Sequence, residues 1–332
     1  MPIESALGLS AIDAELVAGV LARQRRPLAK AITLIESTRA DHQARAEKLL
    51  AALLPHSGRS IRVGISGVPG VGKSSFIEVL GMLLIGRGSR VAVLAVDPSS
   101  SISGGAILGD KTRMECLSQR EEAFIRPSPT SGSLGGVAEK TREAMLLCEA
   151  AGYDVIIVET VGVGQSETAV ASMTDVFVLL QLPNAGDDLQ AIKKGIVELA
   201  DLVVLNKADI DPLAADFAAA QMQAALHMLH PSSPHWRPQV LKVSATNKQG
   251  IEDFWQMIEE YRRIMTQTGE IAARRCHQAL AWTWSLIESG LQAHFREHPL
   301  VKGNLPSLLR AVEQGAITPA VAANRLLGYF RQ

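Results

Sequence analysis

The sequence predicts an α/β protein with a mostly parallel central sheet, N-terminal helices before it and a C-terminal helical extension after it. Three observations carry this prediction. Short β-branched runs alternate with helical stretches from Ile61 to about Tyr261. The stretch before them shows only helical periodicity, and beyond about Tyr261 the strand pattern stops. Apolar runs that alternate with helices imply strands buried on both faces, which is the signature of a parallel sheet. The organisation expected is residues 1–58 as a helical extension, 59–262 as the α/β domain, and 263–332 as a helical region.

Within residues 11–54, apolar positions recur at helical spacing in Ala31, Leu34 and Ile35 and in Leu49, Leu50, Leu53 and Leu54. Pro55, Ser57 and Gly58 then break the pattern. The expected strands are Ile61–Ile65, Val91–Val96, Asp154–Val158, Val176–Leu182, Leu202–Leu205 and Val240–Val243. Helices are expected over Ser74–Leu84, Val137–Ala150, Leu189–Leu199, Pro212–Leu229 and Ile251–Met265. The segment His230–Pro238 reads as a turn or loop. In the C-terminal region Leu280, Trp284, Ile287, Leu291 and Phe295 recur three or four residues apart, one stripe of a long helix. Shorter helical patterns follow at Leu305–Val312 and Pro319–Phe330.

Composition narrows the function classes. Of 332 residues 47% are hydrophobic, ample for a sizeable core. Lys and Arg number 33 against 34 Asp and Glu, so no broad nucleic-acid face is expected from charge. The three cysteines are far apart and odd in number, which suits a reducing cytosol better than a disulfide framework. The first twenty residues lack a basic start and carry Glu4, Asp13 and Glu15, unlike a secretory leader. No apolar run reaches the ~18 residues a membrane span needs. No membrane association and a cytoplasmic location are expected by elimination.

The strongest chemical signal is Gly67-Val68-Pro69-Gly70-Val71-Gly72-Lys73-Ser74, followed by Ser75. It matches G-x-x-x-x-G-K-[ST] between an expected strand and an expected helix. Glycines let main-chain N–H groups curl around phosphate oxygens, and the helix start adds positive potential. Lys73 is expected on the β- and γ-phosphates and Ser74 on a magnesium ion. The alternative is a Gly-rich turn with an exposed lysine, which the strand–loop–helix context disfavours.

A second signal, Asn206-Lys207-Ala208-Asp209, follows the run Leu202–Leu205. N-K-x-D at a strand end resembles the guanine-reading loop of P-loop GTPases. Its aspartate accepts from guanine N1 and the exocyclic amine. Adenine offers no such donor pair, so a buried Asp209 would be left unpaired against ATP. Ser244-Ala245, after Val240–Val243, resembles the loop that supports the base. A third signal is Glu159-Thr160-Val161-Gly162 at the end of a strand. An acid there can hold magnesium through water, and the glycine N–H can meet the γ-phosphate. Most such enzymes carry Asp at that acid.

Two further acids, Asp97 in Asp97-Pro98-Ser99-Ser100 and Asp110 in Gly109-Asp110-Lys111, are candidates for the metal site. On residue chemistry alone the alternative is a pair of solvated loop aspartates. Where Ras-like enzymes place a water-orienting glutamine, this chain has Val163, which cannot orient water. Gln165 lies two residues on. Slow intrinsic hydrolysis, accelerated by a partner, is therefore expected.

Taken together, GVPGVGKSS, VDPSS, GGAILGDKTRM, VETVGVGQSE, GDDLQAIKKGI and NKAD resemble the MeaB/ArgK family of GTPases. The resemblance covers residues 15–330 and is densest from Val63 to Asp209. It implies GTP/GDP and Mg as cofactors, with Lys73, Asp97, Asp110 and Glu159 as the catalytic set. Ser74, Asp97, Asp110 and Glu159 are implied around the metal, and residues 97–113 and 159–167 as switches. It also implies a homodimer that assists adenosylcobalamin loading and protection of an acyl-CoA mutase such as methylmalonyl-CoA mutase. The stretch Asn184 to Lys194 would signal nucleotide state to that mutase; without the resemblance its Asp187, Asp188, Lys193 and Lys194 read as a charged helix start. The C-terminal stripe would form the dimer interface rather than pack on its own domain. No D-x-H-x-x-G occurs, so cobalamin is expected on the partner.

Two other classes stay open. A kinase linked to arginine/ornithine transport is one, since some relatives carry that label and P-loop kinases need no further motif. A metal-insertion GTPase is the other. It would need soft or imidazole ligands near the switches, yet Cys116, Cys148 and Cys276 form no C-x-x-C and the eight histidines are scattered. His227 and His230 read as a helix-surface pair, and Cys276-His277 are adjacent.

Overall fold

The computed structural model describes residues 8–96, 114–127, 134–160, 166–183, 194–229 and 233–331. Three helices come first: α1 (Ala11–Leu21), α2 (Arg25–Glu36) and α3 (Ala40–Leu53). There follow β1 (Ile61–Gly67), α4 (Lys73–Gly86), β2 (Val91–Val96), α5 (Glu115–Ser118), β3 (Ala123–Arg126), α6 (Leu134–Ala150) and β4 (Val155–Thr160). Next are α7 (Ser166–Ala171), β5 (Val176–Gln181), α8 (Lys194–Val197), β6 (Leu202–Leu205), α9 (Pro212–Met228), β7 (Gln239–Lys242) and α10 (Ile251–Gln267). Three helices close the chain: α11 (Glu270–Glu297), α12 (Pro299–Glu313) and α13 (Pro319–Phe330).

The strands form one seven-stranded sheet in the order β3-β2-β4-β1-β5-β6-β7, and every pairing is parallel. The expected α/β class and all six expected strands are present, with ends shifted by at most two residues. One strand was not foreseen: β3, which pairs with β2 at the sheet edge. Of the expected helix over 189–199, residues up to 193 lie outside the described residues, Lys194–Val197 are helical, and 198–199 form a turn, two residues short of the expected end.

Strand alternation splits the interior into two layers. On one face Ile156, Val158, Phe177, Leu179 and Val203 join α6 and the N-terminal helices, through Leu28, Ile32, Leu49 and Leu53. On the other, Val63, Ile65, Ile157, Val178, Leu180 and Val204 meet α4 and α10. Phe76 of α4 and Phe254 of α10 stack edge to face, with ring centroids 5.0 Å apart. The N-terminal helices thus share a core with the sheet rather than standing apart from it.

Register is pinned by an aspartate ahead of each of three strands. Asp154, Asp175 and Asp201 precede β4, β5 and β6. Their carboxylates accept from the N–H of Arg90, Arg62 and Phe177 at 2.8, 2.8 and 2.9 Å. Charge-assisted bonds of this kind hold the strand starts in line. Trp236, in the expected loop before β7, is buried and donates from Nε1 to the Asp201 carbonyl at 2.9 Å. That bond explains how a loop residue comes to be core.

By contact density the chain divides into Met1–Ala272 and Ala273–Gln332. The expected boundary at 262/263 falls inside α10, where Met265 is buried. The second unit has a small core of its own, built on Val301, Leu308, Ala322 and Leu326. α11 buries none of its residues, and Leu280, Trp284, Ile287 and Leu291 are exposed along it.

At the chain start, Ser10 caps α1 by accepting from the Asp13 N–H at 3.2 Å. The buried Asp13 carboxylate is held by Arg45 at 2.8 Å. The Arg45 hydrogen bond is the main force lowering the Asp13 pKa, opposed by burial and helped by Ser10. A depressed carboxylate pKa contributes stability that is full above the unfolded aspartate value, about 4. That contribution is lost as pH falls from there through the lowered folded value. Asp13→Asn is therefore expected to lower the melting temperature at pH 7, and the gap to wild type should close as pH falls from about 4 through the lowered folded value. Melting curves of both proteins against pH check this; a constant gap would contradict it.

Candidate functional site

The sheet reverses direction at β1: the connection from β1 leads to one side, and that from β4 crosses to β5 on the other. Ligands of open parallel sheets bind at the strand C-termini at such a point. The Gly67–Ser74 loop sits there, between β1 and α4.

Two of its glycines are required by space. A Cβ on Gly67 would lie 2.4 Å from the Leu180 carbonyl oxygen of β5. Gly72, the residue before α4, has φ 93, and a Cβ there would lie 2.8 Å from Asn206 Nδ2. Any side chain would push the loop off the sheet or strain it. Lys73 opens α4 and is buried. Its ammonium donates to the Gly67 carbonyl at 2.6 Å and to that of Val68 at 3.3 Å. The aliphatic stem is sheltered and the charge lies inside the loop. Val71 is fully buried beneath it. Ser74 is half-buried and Ser75 exposed in the first turn of α4.

Asn206 joins this loop to the second one. Its side chain is buried, donates from Nδ2 to the Val71 carbonyl at 2.8 Å, and accepts at Oδ1 from the Ala245 N–H at 3.2 Å. Its own N–H donates to the Gln181 carbonyl at 2.8 Å. Lys207, in a left-handed turn with φ 61, donates from Nζ to the Gly70 carbonyl at 2.9 Å. One buried amide and one lysine thus brace Gly70–Gly72, the N-K-x-D turn and Ser244-Ala245 as a single unit.

Asp209 differs from expectation. It is exposed rather than buried, because it lies four residues beyond the end of β6, in a turn at the open rim. Its Oδ2 accepts from Asn247 Nδ2 at 3.0 Å. Asn247 in turn donates its N–H to Ser244 Oγ at 3.1 Å, and Ser244 and Gln249 form an antiparallel bridge. Asn247 was missed in the sequence reading. Its only signal there was a run of turn-forming polar residues between β7 and α10.

Glu159 is buried near the end of β4, level with Ile65 of β1 and Ala95 of β2. It therefore borders the strand that enters the glycine loop. On the opposite sheet face the Thr160 hydroxyl donates to Ser66 Oγ at 3.0 Å. Asp97, Asp110, Gly162, Val163 and Gln165 lie outside the described residues. Ser74 and Glu159 supply oxygen donors only, which suits a hard cation such as magnesium completed by water and phosphate oxygens. Among the described residues no group of three or more His, Cys, Asp or Glu could hold a metal by itself. His227 meets Gln223 at 3.2 Å on α9, and Cys276 is exposed on α11.

A glycine turn after a central parallel strand, a lysine at the following helix start and a braced N-K-x-D turn define a P-loop GTPase. The family described as "Methylmalonyl Co-A mutase-associated GTPase MeaB" matches residues 28–299, and the chain belongs to that family. A putative GTPase of Caulobacter vibrioides is 54% identical, covering 98% of each chain. The mouse "Methylmalonic aciduria type A homolog, mitochondrial" is 48% identical, covering 95% of this chain and 79% of that one. The crystal structure of a LAO/AO transport system kinase aligns with TM-score 0.78 at 38% identity, covering 97% of this chain and 99% of the other. Among the described residues no helix is long and apolar enough to cross a membrane.

Proposed function

We propose that the chain binds GTP with magnesium on Gly67–Ser75, reads guanine through Asp209, and uses the nucleotide cycle to assist adenosylcobalamin loading and protection of an acyl-CoA mutase. Methylmalonyl-CoA mutase is the mutase that the family description and the mouse relative favour. The observation that carries the guanine assignment is the Asn206 brace, which places the phosphate loop and the N-K-x-D turn in one rigid frame. Lys73 neutralises phosphate charge; Ser74 and Glu159, with Asp97 and Asp110, arrange the metal and its water. Magnesium, when bound, offsets charge building on the leaving phosphates.

The exposed stripe Leu280, Trp284, Ile287 and Leu291 supports a homodimer in which a second copy covers α11. Val163 in place of a water-orienting glutamine supports slow turnover by the isolated chain. The deciding experiment is purification from the native host with the bound partner identified by mass spectrometry. GTP turnover is then measured with and without that partner, and sedimentation of the same preparation gives the chain's own assembly state. The expected result is a dimer that turns over below roughly 1 per second alone and faster with an acyl-CoA mutase. A partner of another class, or turnover unchanged by the mutase, would contradict the reading.

A second reading, a kinase acting in a transport system, is favoured by the name of the structurally similar protein. Labelled GTP that leaves phosphate on a protein or amino acid acceptor, rather than releasing it, would establish that reading over the first.

A further inference from the structure

At the opposite end of the sheet from the glycine loop, a cleft of about 430 Å3 opens at the N-terminal ends of β1 and β4. Seven-residue β1 separates the two ends by roughly 20 Å. The cleft is lined by Arg23, Arg59 and Arg262 with His56, against two acids, Glu149 and Asp154. Its size is within the range of small-molecule sites.

The acids do not balance these arginines. The Glu149 side chain is fully buried and already taken: Arg62 donates to it at 2.8 and 3.1 Å, and the Gly58 N–H at 2.7 Å. Asp154 spends Oδ2 on the Arg90 N–H, at 2.8 Å. Arg90 itself lies over the Tyr153 ring, 4.5 Å from its centroid, and donates to the Ala151 carbonyl at 3.3 Å. The exposed guanidinium groups of Arg23, Arg59 and Arg262 therefore face the cleft as a net positive rim.

Backbone geometry shows that one of these groups is held there at a steric cost. Arg23 has φ 63, the left-handed region that a glycine would occupy more easily. Its guanidinium lies against Gly152, where an added Cβ would come within 2.9 Å of Arg23 Nε. Arg262 donates from Nη2 to the Arg59 carbonyl at 3.0 Å, which fixes its orientation and leaves most of its donors unspent. Planar forks fixed in this way suit the oxygens of a phosphate group.

We propose that this cleft is a second anion site, separate from the glycine loop, that binds a phosphorylated small molecule through Arg23, Arg59 and Arg262. The test is calorimetric titration of inorganic pyrophosphate into the full-length protein with GDP and magnesium in saturating excess, so that the glycine loop is filled. Succinate is titrated in parallel as a dicarboxylate. The expected result is one pyrophosphate per chain, bound more weakly as salt rises. Arg23→Gly and Arg262→Ala are each expected to weaken it by at least about tenfold while GDP affinity stays unchanged. Arg23→Gly also relieves the left-handed backbone, so it keeps the fold. Absence of saturable pyrophosphate binding, or binding undiminished in both variants, would overturn the site. Succinate bound as tightly as pyrophosphate would overturn the assignment to phosphate.

Discussion

Lys73→Ala is expected to lower GTP affinity about 100-fold, the upper end of what one charge-assisted contact contributes. In the structure the ammonium is buried and held by the Gly67 and Val68 carbonyls at 2.6 and 3.3 Å. Those acceptors orient the charge inside the loop, on the side of the phosphate-binding amides. Alanine keeps α4, since it is the best helix former, and removes the charge together with the sheltered stem and its two bonds to the loop carbonyls. The readout is calorimetry with GTP, together with the rise in melting temperature that bound nucleotide confers. Wild type should show a rise that the variant loses at the same nucleotide concentration. Unchanged affinity would mean that phosphates are bound elsewhere.

Asn206→Ala is expected to damage both the fold and the site. Its amide satisfies the Val71 carbonyl and the Ala245 N–H, at 2.8 and 3.2 Å, and both of those residues are buried. A buried group left without its partner costs about 1–3 kcal/mol, so two such groups cost roughly 2–6 kcal/mol. For a unit of this size that lowers the melting temperature by roughly 4–24 °C. The same change leaves only the Lys207–Gly70 bond as a brace between the phosphate loop and the base loop, so the remaining folded protein should bind GTP at least about tenfold more weakly. Asn206→Asp keeps the acceptor toward Ala245 but sets a buried carboxylate oxygen against the Val71 carbonyl in place of the donor. It should be at least as damaging as alanine in both measurements.

The strands were legible because each is a continuous β-branched apolar run, and parallel strands buried on both faces demand such runs. Val91–Val96 and Leu202–Leu205 are found with the expected ends. β3 was not legible. Its four residues follow the charged stretch Arg120, Glu121 and Glu122, and it carries Arg126, whose guanidinium pairs with Glu36 of α2 at 3.2 Å. A four-residue edge strand that follows a charged stretch and ends on a half-buried arginine looks like loop. The glycine loop and N-K-x-D turn were legible because their chemistry is local: a few consecutive residues supply amides, charge and hydroxyl. Asn247 was hidden because its contact with Asp209 depends on the Ser244–Gln249 bridge folding the chain back. The exposure of Asp209 was hidden for a related reason. Residue type predicts what Asp209 can accept, but only the length of the turn after β6 decides how far it reaches toward solvent.

The central claim is that one braced frame binds a triphosphate and selects guanine. Displacement of labelled GDP by GTP and by ATP, on wild type and on Asp209→Ala, tests it most directly. The account predicts that GTP displaces at concentrations at least about a thousandfold below ATP in wild type, and that the preference largely disappears in the variant. ATP competing as well as GTP on the wild-type protein would contradict it.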